Sequence, residues 1–183
     1  IVAGIGGAAI DGVYHGDVRH IRALSVTCDD SPIEWISAAP DGPDRVVFGG
    51  LLRGVDDSTP DPKVRLLRER RVAEGRFVER WTVATSLASA LRIRLTARIE
   101  PEFASLHDVK SGRAQPQSFT IAVSDVDARV EAGAQGIVLV APGARLVSSG
   151  DALVAEWDVE VPPRGRTAVE FEIALHDETL VVQ

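Results

Sequence analysis

The sequence predicts an all-β fold made of two packed antiparallel sheets. Three observations carry that prediction. Apolar and polar residues alternate with period two in several long runs, turn-forming residues separate those runs, and helical periodicity is nearly absent. Alternation of period two buries one face of a strand and wets the other. Antiparallel sheets with a solvated side have this signature.

Taken in order, short strands are expected over residues 21–28, 33–37 and 45–48. Asp56-Asp57-Ser58-Thr59-Pro60-Asp61-Pro62 reads as a loop by composition. Residues 64–72 and 77–85 read as a hairpin across Ala73-Glu74-Gly75-Arg76. The run from Leu91 to Ile99, alternating with arginines, is expected to extend that hairpin into a meander. Glu102, Phe103 and Leu106 have a helical spacing, so one turn of helix is expected within 101–109, followed by a loop over 110–116. Strands follow over 118–123 and 137–141. Leu153, Ala155, Trp157, Val159 and Val161 share one register, as do Thr167, Val169, Phe171, Ile173 and Leu175. Pro162-Pro163-Arg164-Gly165-Arg166 is expected to join these last two strands as a second hairpin. About a dozen strands in one flat sheet would leave apolar surface in water, so two packed sheets follow.

Composition limits the function classes. No run of 18 apolar residues encodes a membrane span. Net charge is −7, yet residues 64–100 hold nine arginines against four glutamates. A basic stretch in an acidic protein can mark a contact surface. It lacks interleaved aromatics of the kind that stack on bases, so nucleic acid is not an expected partner. Cys28 is the single cysteine, which excludes a disulfide framework and fits a reducing, cytoplasmic setting. The chain starts at Ile1 and has no methionine, so a fragment of a longer protein is expected.

Chemistry-bearing patterns are sparse. His15, His20, His107 and His176 show no metal-ligand spacing, and no metal or cofactor is expected. Glycoside hydrolysis needs two carboxyl groups flanking the scissile bond. Asp29-Asp30 and Asp56-Asp57 read as solvated turns, Glu100 and Glu102 follow a strand, and no catalytic residue is assigned. Gly4-Ile5-Gly6-Gly7-Ala8-Ala9 has the glycine spacing of a dinucleotide loop but no βαβ unit around it. Trp81 and Trp157 lie in apolar registers and should be core. Trp35, beside Glu34, is the one candidate platform for a glycan, weighed against burial in its strand.

Three islands remain. They are Gly12-Val13-Tyr14-His15-Gly16-Asp17-Val18-Arg19-His20; then Arg68-Glu69-Arg70-Arg71-Val72 with Gly75-Arg76-Phe77-Val78-Glu79-Arg80; then Glu102-Phe103-Ala104-Ser105-Leu106-His107-Asp108-Val109. Together they resemble the N-terminal domain of bacterial amylo-alpha-1,6-glucosidase or glycogen debranching enzyme-like proteins. Tyr14 and the Asp17-Val18-Arg19 triplet match that family's aromatic-plus-RDTR stretch, with His15-Gly16 in place of its first part. The resemblance covers about 100 residues. It implies a β-supersandwich over 1–183 that precedes a helical (α/α) catalytic barrel in the same polypeptide. It also implies a noncatalytic role, bracing that barrel and shaping its substrate cleft, with alpha-glucan as a possible further partner and no cofactor. Asp17 and Arg19, two apart on an extended segment, would share a face and could pair. With Tyr14 they are candidates for a structural turn brace or for contact with the barrel. Ion pairs among Glu69, Arg70, Glu79 and Arg80 across the hairpin would be structural and individually weak. The alternative reading is an autonomous glycan-binding or protein-interaction module.

Overall fold

The computed structural model describes residues 4–6, 8–56, 60–73, 75–115 and 117–180. Two antiparallel sheets face each other. The smaller holds β1 (Val13–His15), β2 (Val18–Cys28), β3 (Ser31–Pro32), β8 (Leu91–Ser105), β12 (Arg145–Ser149) and β13 (Ala152–Val161). The larger holds β4 (Glu34–Pro40), β5 (Arg45–Leu51), β6 (Val64–Ala73), β7 (Arg76–Thr85), β9 (Thr120–Val123), β10 (Ala128–Ala132), β11 (Gln135–Val140) and β14 (Arg166–Asp177). Strand order is β1-β2-β8-β13-β12 in the first, with β3 on β2, and β4-β5-β6-β7-β14-β11-β10-β9 in the second. The expected two-sheet, all-β architecture is what the chain adopts.

Strand registers follow the alternation. Ile93, Leu95, Ala97 and Ile99 are buried on β8, opposite Val159, Trp157, Ala155 and Leu153 of β13. Their neighbours Arg92 and Arg94 face out and pair with Glu160 and Asp158 at 3.1 Å each. Between the sheets Trp157 stacks on Phe171 (5.8 Å), and Trp81 meets both edge-on at 5.4 and 5.3 Å. Cys28 is buried, and burial pushes its thiol up to about 12. It packs as a small apolar residue.

The 64–85 hairpin forms as expected, with Val64 opposite Thr85 and Ala73 opposite Arg76. Two other expected pairings do not. β8 does not extend the meander; the second neighbour of β7 is β14, and β8 lies in the other sheet. Nor do β13 and β14 form a hairpin, because the proline-rich link also crosses between sheets. The two crossings run side by side. Arg164 N donates to Leu87 O (2.9 Å), and Thr85 N donates to Gly165 O (2.9 Å). Pro162 and Pro163 have no amide to give to a hairpin ladder, which suits a crossing. Period two reports which face is buried, not which sheet a strand joins.

The expected helical turn is also displaced. Glu102 and Phe103 still belong to β8, and the helix α1 (Leu106–Lys110) starts after Ser105. The Ser105 hydroxyl caps it, accepting from Asp108 N at 3.1 Å. Asp29 and Asp30 form the two-residue turn between β2 and β3, both at positive φ (46° and 60°). Asp56 Oδ2 accepts from the amides of Lys63 and Val64 at 2.8 and 3.1 Å, while Asp57 lies outside the described residues. No βαβ unit surrounds the glycine stretch among the described residues. Ile5 bonds Leu24 both ways at 3.1 Å, as an isolated antiparallel bridge. Gly7 lies outside the described residues.

Candidate functional site

The first and third islands, far apart in sequence, meet at one end of the sandwich, and the second touches the first where Gly75 lies against His15. The first forms the β1–β2 hairpin. Tyr14 faces Arg19, His15 faces Val18, and Gly16-Asp17 make the two-residue turn, with Gly16 at φ 58°. The third island is the neighbouring strand. Val18 lies opposite Ser105 and Arg19 opposite Ala104. Register shifts follow on both sides of Ile21, and Phe103, fully buried, takes φ 65°. The bulge in β8 brings the Glu102 carboxylate inward.

Arg19 is the centre of this junction. It is buried at 6% exposure, and its Nε and Nη2 both reach Glu102 Oε2 at 2.6 Å. Its Nη1 donates to Ala9 O (2.7 Å) and Asp11 O (3.1 Å), which ties down the N-terminal segment. A Cβ at Gly12 would collide with the Arg19 stem, so glycine there allows the close approach. Tyr14 adds a bond from its hydroxyl to Ile10 O at 2.8 Å.

The expected Asp17–Arg19 pair does not form. Residues two apart share a face only within a strand, and Asp17 sits in the turn. Its main-chain oxygen accepts from Leu106 N at 2.7 Å. Its carboxylate is exposed and makes no hydrogen bond or ion pair among the described residues. Leu180, in the tail beyond β14, packs over Gly16 beside it. Arg19 therefore serves the fold, and Asp17 faces outward.

The second island supplies a separate polar centre on the inner face of the larger sheet. Arg68 and Glu79 are both fully buried, and the Arg68 guanidinium grips the Glu79 carboxylate through Nε to Oε2 and through Nη2 to Oε1 at 2.7 Å. Arg70 Nε and Trp81 Nε1 also donate to it, each at 2.7 Å. Burial pushes the Glu79 carboxyl up, but the guanidiniums of Arg68 and Arg70 and the bonds from Arg68 and Trp81 outweigh it and hold its pKa below the ordinary carboxylate range. Weak cross-strand pairs were expected among Glu69, Arg70, Glu79 and Arg80; Arg70 and Glu79 instead join Arg68 and Trp81 in an interior network, while Glu69 pairs with Arg45 and Arg80 with Glu170. The signal was present in the alternation, since Arg68 follows Val64 and Leu66 in the inward register and Glu79 lies between Phe77 and Trp81.

Trp35 closes one side of this centre. It is partly buried, edge-on to Phe48 at 6.2 Å, with the Arg68 guanidinium 5.7 Å from its ring centre. A Cβ at Gly50 would press on its ring. The basic stretch over 64–100 is largely neutralised: Arg68, Arg70, Arg76, Arg80, Arg92, Arg94 and Arg98 each reach a carboxylate. Among the described residues no group of three or more His, Cys, Asp or Glu side chains is placed to hold a metal ion. No helix among them is long and apolar enough to cross a membrane.

A family model for the N-terminal domain of some glycogen debranching enzymes matches residues 3–172. The chain belongs to this family. All three islands of the debranching-enzyme N-terminal domain fall within the match; the first and third build the Arg19–Glu102 junction and the second the Glu79 centre. Among solved structures, the fold is similar to that of the Slr1438 protein from Synechocystis sp. PCC 6803, with a TM-score of 0.51 and 13% identity over 81% of this chain and 67% of that one. It is also similar to part of a candidate kojibiose phosphorylase from the human microbiome, with a TM-score of 0.57 and 5% identity. That match covers 86% of this chain but 22% of the phosphorylase. At these identities both are likenesses of fold. A comparison with curated proteins gives no match.

Proposed function

We propose that this domain is the noncatalytic N-terminal part of a glycogen-debranching-type glycoside hydrolase, bracing a C-terminal (α/α) barrel and helping to shape its substrate cleft. The observation that carries this reading is the state of its interior carboxylates. A glycosidase general acid needs a raised pKa and a free face toward the glycosidic oxygen. Glu79 is held low by two guanidiniums, and Glu102 is consumed by Arg19. Both carboxylates are built to hold the fold together. The family match supports the reading, and so does the phosphorylase in which a similar fold is a small share of a long chain.

The parent enzyme would cleave alpha-1,6 or related glucosidic bonds on the barrel, in the cytoplasm. The isolated domain should therefore release no glucose from glycogen, pullulan or isomaltose. Turnover that disappears on substitution of a single carboxylate of this chain would overturn the reading.

Barrel contact belongs to the outward side of the hairpin turn, with Asp17 as its charged member and Tyr14 and Arg19 holding the segment in place. Asp17→Asn should leave the melting curve of the isolated domain unchanged, because the carboxylate is exposed and unbonded. In the full-length protein the same change should weaken docking, read as a lower barrel melting temperature or easier cleavage between the domains. The pH dependence of hydrolysis should keep its shape, since the reacting carboxylates lie elsewhere. Loss of one limb of the pH–rate profile in the Asp17→Asn protein would place this residue in proton transfer. A glycan contact at Trp35 is the second reading; the partly exposed ring favours it, and Trp35→Ala should then reduce retention of the domain on glycogen.

A further inference from the structure

We propose that His20 is an acid-sensitive latch between the two sheets, at the end of the domain that carries the Gly16-Asp17 turn. The ring is fully buried on β2, a strand of the smaller sheet. Its Nε2 lies 3.0 Å from the carbonyl oxygen of His176, on β14 of the larger sheet. Its Nδ1 lies 3.3 Å from the carbonyl oxygen of Val18. Both partners can only accept, and a neutral imidazole has only one N–H to give. The shorter distance assigns that proton to Nε2, which makes the bond between the sheets. The Nδ1 lone pair then faces an oxygen lone pair.

A second proton would turn that mismatch into a hydrogen bond, but the site is built against the charge. Phe103 of β8 presents its ring at 5.4 Å, and His15 of β1 lies edge-on at 5.8 Å. The charged or titratable groups facing the ring are His15, which opposes a second positive charge, and Asp177 of β14, which favours it. Asp177 is already engaged by Thr179 and by Gln135 of β11. Burial is the largest influence and outweighs the carbonyls and Asp177, so the pKa lies below the ordinary 6.5. The native state then binds fewer protons than the unfolded chain. The contribution of neutral His20 is whole above pH 6.5 and is lost as pH falls from there through the native value.

Protonation is accommodated by letting the ring reach water, which breaks the Nε2–His176 bond. The contacts around the ring include the end of the β11–β14 ladder, where Ile137, Gly136 and Gln135 lie opposite Leu175, His176 and Asp177. Leu175 N donates to Gly75 O at 2.7 Å, His15 lies over Gly75, and Leu180 rests on Gly16. Acid should therefore loosen β1, the turn and residues 175–180 together with the end of the β11 pairing, as a local unit. The latch belongs to this chain alone and does not depend on a catalytic partner.

Ring-resolved NMR of the wild-type domain between about pH 4.5 and 8 tests it, with amide exchange by mass spectrometry at both ends of that range. The expected result is an Nε2–H tautomer at neutral pH and a His20 midpoint below 6.5. Exchange protection over 13–17 and 175–180 should fall by up to about tenfold per unit of pKa shift engaged, after correction for intrinsic rates. Protection in the β6–β7 hairpin should persist. His20→Gln, whose amide can donate to the His176 carbonyl without titrating, should remove the pH dependence. A midpoint at or above 6.5, unchanged protection in acid, or the same acid response in His20→Gln overturns the latch. If His20→Gln does not fold, the wild-type titration and exchange data decide alone.

Discussion

Glu79→Ala is expected to cost about 3–5 kcal/mol, among the largest losses any single substitution in this domain can produce. The reason lies in what remains. Arg68 is fully buried, and its guanidinium would keep its charge after losing the Glu79 carboxylate. Arg70 and the Trp81 indole would lose the same partner. Removing one member of a buried ion pair is far more damaging than removing the whole of it. Glu79→Gln should fall between wild type and alanine, since it keeps an acceptor and loses the charge. Arg68→Met combined with Glu79→Leu should cost less than the two single changes added together, because each side chain is in the core mainly for the other. Urea unfolding of the four proteins gives the coupling directly; strict additivity would contradict a shared network. Acid provides a second reading. The native pKa of Glu79 is depressed, so its contribution is whole above the unfolded carboxylate range and lost as pH falls through the native value. The gap between wild type and Glu79→Gln should narrow in that direction.

This network shows what a linear sequence conveys and what it hides. The inward register of Val64, Leu66, Arg68 and Arg70 is visible in the alternation, and so is that of Phe77, Glu79 and Trp81. Charged residues in such a register are read first as edge or solvent positions, because burial of an isolated charge is so unfavourable. Only the hairpin pairing shows that Arg70 lies opposite Glu79 and Arg68 opposite Trp81, which makes burial tolerable. The three islands were legible as islands, and the meeting of the first with the third was not. Arg19 finds Glu102 83 residues away, through a bulge that no periodicity announces. Asp17 and Arg19 were placed on one face by counting, and the turn between strands undid the count. The two crossings between sheets were hidden for a related reason: a short proline-rich link looks the same whether it folds back or passes across.

The second large effect is expected at Trp157, where the alternation and the packing agree. Its ring is 2% exposed on β13, stacked on Phe171 and edge-on to Trp81, so one side chain of the smaller sheet meets two of the larger. Its Nε1 donates to Pro142 O at 3.0 Å, which also ties down the loop before β12. Trp157→Ala should cost about 3–5 kcal/mol, the transfer of a large aromatic plus the cavity that Trp81 and Phe171 cannot close. Those two rings are braced on the Glu79 network and the β7–β14 pairing, so they have little freedom to collapse inward. Trp157→Phe keeps an aromatic face against Phe171 and gives up the indole N–H, and its cost should be smaller by about 2 kcal/mol or more. The ordering of the two variants matters as much as their size. If Trp157→Ala unfolds with a loss under about 1 kcal/mol, the ring is not the joint between the sheets, and the register that places Leu153, Ala155, Trp157, Val159 and Val161 inward is wrong.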